Sequence, residues 1–293
     1  TAYNNGSMLA VKPENGDGDF TFSRNSAATR VNAQGLVENV QILSSNLVSN
    51  GDFSQEGVQE VSNGSFSQEG SEQVTNGNFA TDTDWTKGTG WSISGGSANF
   101  DSVGQVSNSL LQQSLGINIS GISNIDFTEG ENTYYWNNGS LNFKLTFTFT
   151  KTSGTNRIRV ISSGTILYFS ALNGDNLVGS IDNVSVKEVG QDWTLGTGWS
   201  IGDDKVVYDG LSGTQPISAI GGVAPQVGKT YKVSFDVLEQ GSGINSAFLG
   251  SVNFSATNLA VGSYVFYVTA TATNKFQIYG RNGSVFSITN ISV

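Results

Sequence analysis

Apolar and polar residues alternate along much of this chain. In LNFKLTFTFTK, residues 141–151, Leu141, Phe143, Leu145, Phe147 and Phe149 fall on one side, while Asn142, Lys144, Thr146, Thr148 and Thr150 fall on the other. Residues two apart on a strand share a face, so this stretch predicts a strand with one face on a core and one in water. TYKVSFDVLEQ, residues 230–240, repeats the pattern with Tyr231, Val233, Phe235 and Val237. Spacings of three and four, which a helix would need, are missing. Such strands, recurring roughly every 8–12 residues between turn-forming residues, predict two-sheet sandwiches of about seven or eight strands.

Internal repeats set the organisation. DWTKGTGWSI at 84–93 returns as DWTLGTGWSI at 192–201, identical at nine of ten positions, and GSIDNVSV at 179–186 matches VFSITNISV at 285–293. Whole units are therefore duplicated. The fold class expected is all-β, with tandem antiparallel jelly-roll sandwiches at 79–189 and 190–293 preceded by an extended β-rich repeat segment. That segment, 48–78, says VSNGDFSQEG at 48–57, VSNGSFSQEG at 61–70 and VTNGNF at 74–79. Asn-Gly pairs at Asn5, Asn15, Asn50, Asn63, Asn76, Asn138, Asn173 and Asn282 predict chain reversals of the type I′ kind, in which both central residues have positive φ. Trp85, Trp91, Trp193 and Trp199 occupy matching places in the two units, which favours a core role for them.

Composition narrows the chemistry. The 293 residues include no His and no Cys. Disulfides, thiolate metal sites, and catalytic arrangements built on His or Cys are thereby excluded. The 24 Asp and Glu are scattered through turn-like stretches without an identifiable catalytic pair, so no enzymatic role, cofactor or metal is expected. A formal charge of −10 without a Lys/Arg cluster argues against nucleic acid and anionic membrane as partners. No apolar run reaches the roughly 20 residues of a membrane span. The opening TAYNNGSML begins with neither Met nor a signal peptide, and the chain is expected to lack its first few residues.

Two resemblances enter on specific residues. VTNGNF (74–79), the Asp-Trp and Gly-Trp pairs at 84–85 and 90–91, and SIDNVSV (180–186) resemble the first and last strands of family 4, 9 and 22-type carbohydrate-binding modules, which are jelly-roll sandwiches. That resemblance implies a structural calcium held partly by an acidic residue after Phe79. Ala80 stands there; Asp182 is present in the first unit and Thr289 takes its place in the second. The second resemblance is more specific: GDFTFSRNSAATRVNAQGLVENV, residues 18–40, is similar to an N-terminal element of tailed-bacteriophage fibre, tail and head-decoration proteins. It implies a structural protein of the virion surface, with an attachment segment at 1–47 and distal binding domains.

On this reading the chain is a virion fibre or decoration protein that meets other virion proteins and a host-surface glycan. The alternative is a secreted bacterial adhesin or polysaccharide-binding protein. Phe20, Phe22 and Leu36 are the expected attachment contacts, and Arg24 and Arg30 could pair with acidic groups there. A thirteen-residue rung holding one Val and one Phe cannot offset the entropy of ordering it. Phe53, Phe66 and Phe79 are therefore expected to stack in a trimeric stalk; alternatively the repeats are a flexible linker, with the third copy alone, 74–79, used as the first strand of the sandwich. In NTYYWNNGS, residues 132–140, Tyr134 and Trp136 share a face opposite Tyr135. Those two rings, with Asn137 and Asn138, form either a sugar platform or part of a core. No comparable aromatic cluster is expected in the second unit, where VGKTYKV is taken as the matching region.

Overall fold

The computed structural model describes residues 29–39, 48–101, 107–127, 129–153, 157–172, 177–210, 216–239, 244–254, 259–280 and 282–293. The chain divides into two units, Thr1–Gly57 and Val58–Val293. Among the described residues every regular element is a strand, so the protein is all-β.

In the N-terminal unit, β1 (Thr29–Val31) and β2 (Val37–Asn39) form an antiparallel hairpin in which Arg30 stands opposite Glu38. The turn is held by Asn32, whose Oδ1 accepts from the N–H groups of Gln34 and Leu36, each at 3.0 Å. Leu36 is exposed there. Phe20, Phe22 and Arg24 lie outside the described residues.

The second unit holds two sandwiches of antiparallel sheets. In the first, one sheet runs β5 (Trp91–Ser94), β6 (Ser97–Asp101), β13 (Val178–Val189), β10 (Asn142–Ser153), β9 (Gly130–Asn137), with β3 (Glu69–Glu72) also on β13. Its other sheet runs β4 (Thr86–Lys87), β7 (Ser109–Ser114), β12 (Ile166–Ala171), β11 (Ile158–Ser163), β8 (Ile125–Asp126). In the second sandwich the sheets are β15 (Trp199–Gly202), β16 (Lys205–Tyr208), β23 (Phe286–Ser292), β18 (Thr230–Glu239), β21 (Gly262–Thr269), and β14 (Trp193–Leu195), β17 (Pro216–Ala219), β22 (Gln277–Gly280), β19 (Ile244–Leu249), β20 (Val252–Asn253).

The alternation of residues 141–151 appears as built: Phe143, Leu145, Phe147 and Phe149 are fully buried, and Phe147 meets Phe169 of the facing sheet at 5.3 Å between ring centroids. Val233, Phe235 and Val237 do the same for the second core. All four duplicated Trp residues are buried.

Tight two-residue reversals fall at Gly95–Gly96, Asp203–Asp204 and Gly250–Ser251, where both residues have positive φ as type I′ turns require. The Asn-Gly pairs behave differently. At Asn50, Asn63 and Asn76 only the Asn is left-handed, and none of the three joins two strands of a hairpin. Asn138–Gly139 does close the β9–β10 hairpin, with Gly139 at φ 90°, while Asn5, Asn15 and Asn173 lie outside the described residues.

The two sandwiches fill equivalent sheet positions but thread them differently. The edge strands β8 and β9 precede β10 in the first, whereas their counterparts β20 and β21 follow β18 and β19 in the second. VGKTYKV therefore leads into the counterpart of β10, and the positional match of Tyr134–Trp136 is SYVFYV on β21, which does carry an aromatic cluster. The ends of the units align by sequence because their strands are threaded alike; the middles do not because an edge pair has changed place in the chain.

Candidate functional site

The repeated phrase proves to be a clasp. Residues 61–66 close the second sandwich and residues 74–79 close the first, by the same set of contacts. Asn63 and Asn76 take left-handed φ of 49° and 51°, and Phe66 and Phe79 take 57° and 49°. A left-handed Phe is sterically costly, and burial offsets the cost here, since the two rings are 2% and 1% exposed. Phe66 packs on Trp193 at 5.0 Å and Phe79 on Trp85 at 5.2 Å.

Hydrogen bonds fix the register. The carbonyl of Asn63 accepts from Phe66 N–H at 3.1 Å and from Trp193 Nε1 at 3.0 Å; that of Asn76 accepts from Phe79 N–H and Trp85 Nε1, both at 3.1 Å. In the last strand of each sandwich, Asn183 and Asn290 are left-handed at a β-bulge. A bulge leaves one N–H outside the sheet ladder. The clasp glycines take it, Val184 N–H donating to Gly77 O and Ile291 N–H to Gly64 O, each at 2.9 Å. Glycine is required at both places, because a Cβ would lie 1.9 Å from Val184 O or 1.8 Å from Ile291 O.

Two residues ahead of each buried Val, Gln59 and Glu72 play one role. Gln59 Oε1 accepts from Val61 and Val293 N–H; Glu72 Oε1 accepts from Val74 and Val186 N–H. Between the two clasps, Glu69 binds Lys144 Nζ at 2.6 Å and Lys187 Nζ at 2.7 Å. Hydrogen bonds from Lys144 first and Lys187 second hold its carboxyl below the usual carboxylate range, against partial desolvation.

These contacts correct the expected stacking of Phe53, Phe66 and Phe79. Phe66 and Phe79 lie in separate cores of their own chain, and each rung is supported by a sandwich instead of standing alone. The repeats thus give no reason for a three-chain stalk; the third copy does join the first sandwich, as the linker alternative expected, but the second copy, 61–66, is no free linker and is seated in the second sandwich. Phe53 has the same local turn but is 89% exposed.

Tyr134 and Trp136 share a face, and that face is turned to the core. Tyr134 packs edge-on against Phe127 at 5.1 Å, and burial pushes its phenol up. Trp136 stacks on Phe143 at 5.2 Å and donates from Nε1 to Ile119 O. Asn138 is used by its turn, Oδ1 accepting from Ser140 and Leu141 N–H and Nδ2 donating to Asn118 O. Asn137 is exposed. Neither ring offers a fully open flat face, as a platform would require. Tyr135, on the opposite face, packs against the second core and lies close to Gly202, where a Cβ would approach its ring to 3.0 Å.

The outer face of β21 and β18 is open by contrast. Tyr267 is 74% exposed and Val265 is exposed beside it. They stand opposite Lys232 and Ser234, with Asp236 opposite Ser263. Hydrogen bonds from Ser263 first and Asn290 second hold the Asp236 carboxyl below the usual range. Sequence reasoning passed over this face because 262–269 lacked an assigned counterpart; Tyr267, out of phase with inward Tyr264 and Phe266, was its signal.

Among the described residues no group of three or more His, Cys, Asp and Glu could hold a metal ion. At the position implied for calcium, Thr289 Oγ1 donates instead to Asp204 O at 2.7 Å. Comparison with protein-family models and with curated proteins finds no match for this chain.

Proposed function

We propose that this chain is a structural protein of a bacteriophage surface, a fibre or decoration subunit that attaches to the particle through its N-terminal segment and meets the host through its sandwiches. The observation that carries this reading is the division at Gly57. The unit before it bears the sequence that resembles virion attachment elements, and the unit after it spends its buried aromatics on core packing and clasping. In the first sandwich β3 extends the sheet alongside β13, and Tyr135 on the outer face of β9 packs against the second core. We therefore assign host contact to the open face of the second, where an exposed ring beside amide, hydroxyl and carboxylate groups suits a glycan.

Immunogold labelling of purified particles with antibody against the chain tests attachment. Label on the particle is expected with the full chain and lost when residues 1–47 are deleted; labelling at normal copy number without them refutes the reading. For host contact, Tyr267→Ala is expected to weaken binding to host surface polysaccharide without moving the melting temperature. Unchanged binding would remove this face from the assignment.

A further inference from the structure

Both clasp grooves of the chain are filled, yet the chain carries a third clasp. Residues 48–53 already hold its shape, with Asn50 at φ 51° and Phe53 at 56°. Phe53 N–H donates to Asn50 O at 3.0 Å, and Asn50 Oδ1 accepts from Gln55 N–H at 2.7 Å, as Asn63 Oδ1 does from Gln68 N–H. What differs is the ring, 89% exposed at Phe53 against 2% at Phe66. A left-handed Phe with an open ring has the steric cost of the conformation and none of the burial that offsets it in the other copies. Gly51 points the same way. Where Gly64 and Gly77 have backbone closing on them, a Cβ at Gly51 would meet only the Val48 side chain, at 3.3 Å. Features that matter in a docked clasp are thus present in an undocked one.

We propose that residues 48–57 are a clasp for a further β-sandwich of the 190–293 kind, one whose clasp groove is open. Sequence sets the kind: 48–57 is identical at nine of ten positions to 61–70, the clasp of the second sandwich, and at only four of ten to 74–83. A second copy of this chain in the same state has both grooves filled, so the partner is a different sandwich. It would present a first-strand Trp to pack on Phe53 and bond the Asn50 carbonyl, and a last-strand bulge whose N–H bonds Gly51 O. Main-chain bonds would give affinity and the Phe pocket specificity, as in donor-strand addition. This inference goes beyond the virion reading and stands without it.

The chain's own second sandwich serves as the test acceptor. In the full chain carrying Phe53→Ser and Phe66→Ser, the 190–293 groove has no competent clasp, and a synthetic peptide of residues 48–57 is titrated into it by calorimetry. One-to-one binding is expected, with a rise in melting temperature and at least about tenfold weaker binding by the peptide carrying Phe53→Ser. The unaltered chain, its groove filled, is expected not to bind. A folded double variant that ignores the peptide, or binds the Ser peptide equally, overturns the proposal. If the double variant fails to fold, the single variant Phe66→Ser decides. With Phe53 intact the spare clasp fills the groove and folded protein is recovered; a single variant as unfolded as the double overturns the proposal.

Discussion

Phe79→Ala removes the ring that seats the first clasp. Phe79 is 1% exposed and packs on Trp85 at 5.2 Å, so truncation deletes a fully buried ring and leaves a cavity lined by fixed neighbours. Buried Phe→Ala changes cost about 3–5 kcal/mol. The left-handed backbone gives no relief, since Ala at φ 49° keeps a Cβ and its steric penalty. For a unit of this size each kcal/mol moves the midpoint by roughly 2–4 °C, so scanning calorimetry is expected to show the first sandwich melting about 10 °C lower. Phe53→Ala is the matched control, with the same turn and an 89% exposed ring, and is expected to stay within about 0.5 kcal/mol of the parent. A loss under about 1 kcal/mol for Phe79→Ala, or equal losses for the two variants, would refute the clasp as a source of stability.

Gly77→Ala places a Cβ against the Val184 carbonyl and is expected to lower stability by several-fold more than Gly51→Ala, as read by urea unfolding. Glu69→Gln breaks both lysine pairs and is expected to cost about 1 kcal/mol at neutral pH. Because the folded-state pKa of Glu69 is depressed, its contribution is complete above the ordinary carboxylate value of 4.5 and fades as pH falls through the folded value. Parent and Gln variant are therefore expected to converge in acid; a gap that widens there would contradict the assignment. A chain beginning at Val74 loses Val61 and Phe66 and is expected to keep the first sandwich folded while the second is destabilised, which limited proteolysis would show.

Much of the fold was legible because strand alternation is a local signal. Residues 141–151 and 230–240 announced their inward faces, and the duplicated ends announced two sister units. The clasp was not legible, because what houses Phe66 comes from far along the chain: Asn63 and Trp193, which bond each other, are 130 residues apart. Burial counted within one rung could not include that partner. The Asn-Gly pairs at Asn50, Asn63 and Asn76 misled for a local reason, since positive φ at Asn alone builds the clasp turn, whereas Gly95–Gly96 and Asp203–Asp204 supply it twice for hairpins; Asn138–Gly139 reversed the chain as expected. Tyr134 and Trp136 were correctly placed on one face, but a period of two does not say which face meets the core; the contacts with Phe127 and Phe143 do.

The clasp itself is tested most directly by hydrogen exchange at two amides. Val184 and Ile291 N–H stand at bulges and are held by Gly77 O and Gly64 O. The account predicts that both exchange as slowly as the core strands around them, and that Phe79→Ala selectively releases Val184 while Ile291 stays protected. Fast exchange at both amides in the parent chain, with neighbouring Ile181 and Ile288 protected, would mean that the clasps are not engaged and would contradict the account.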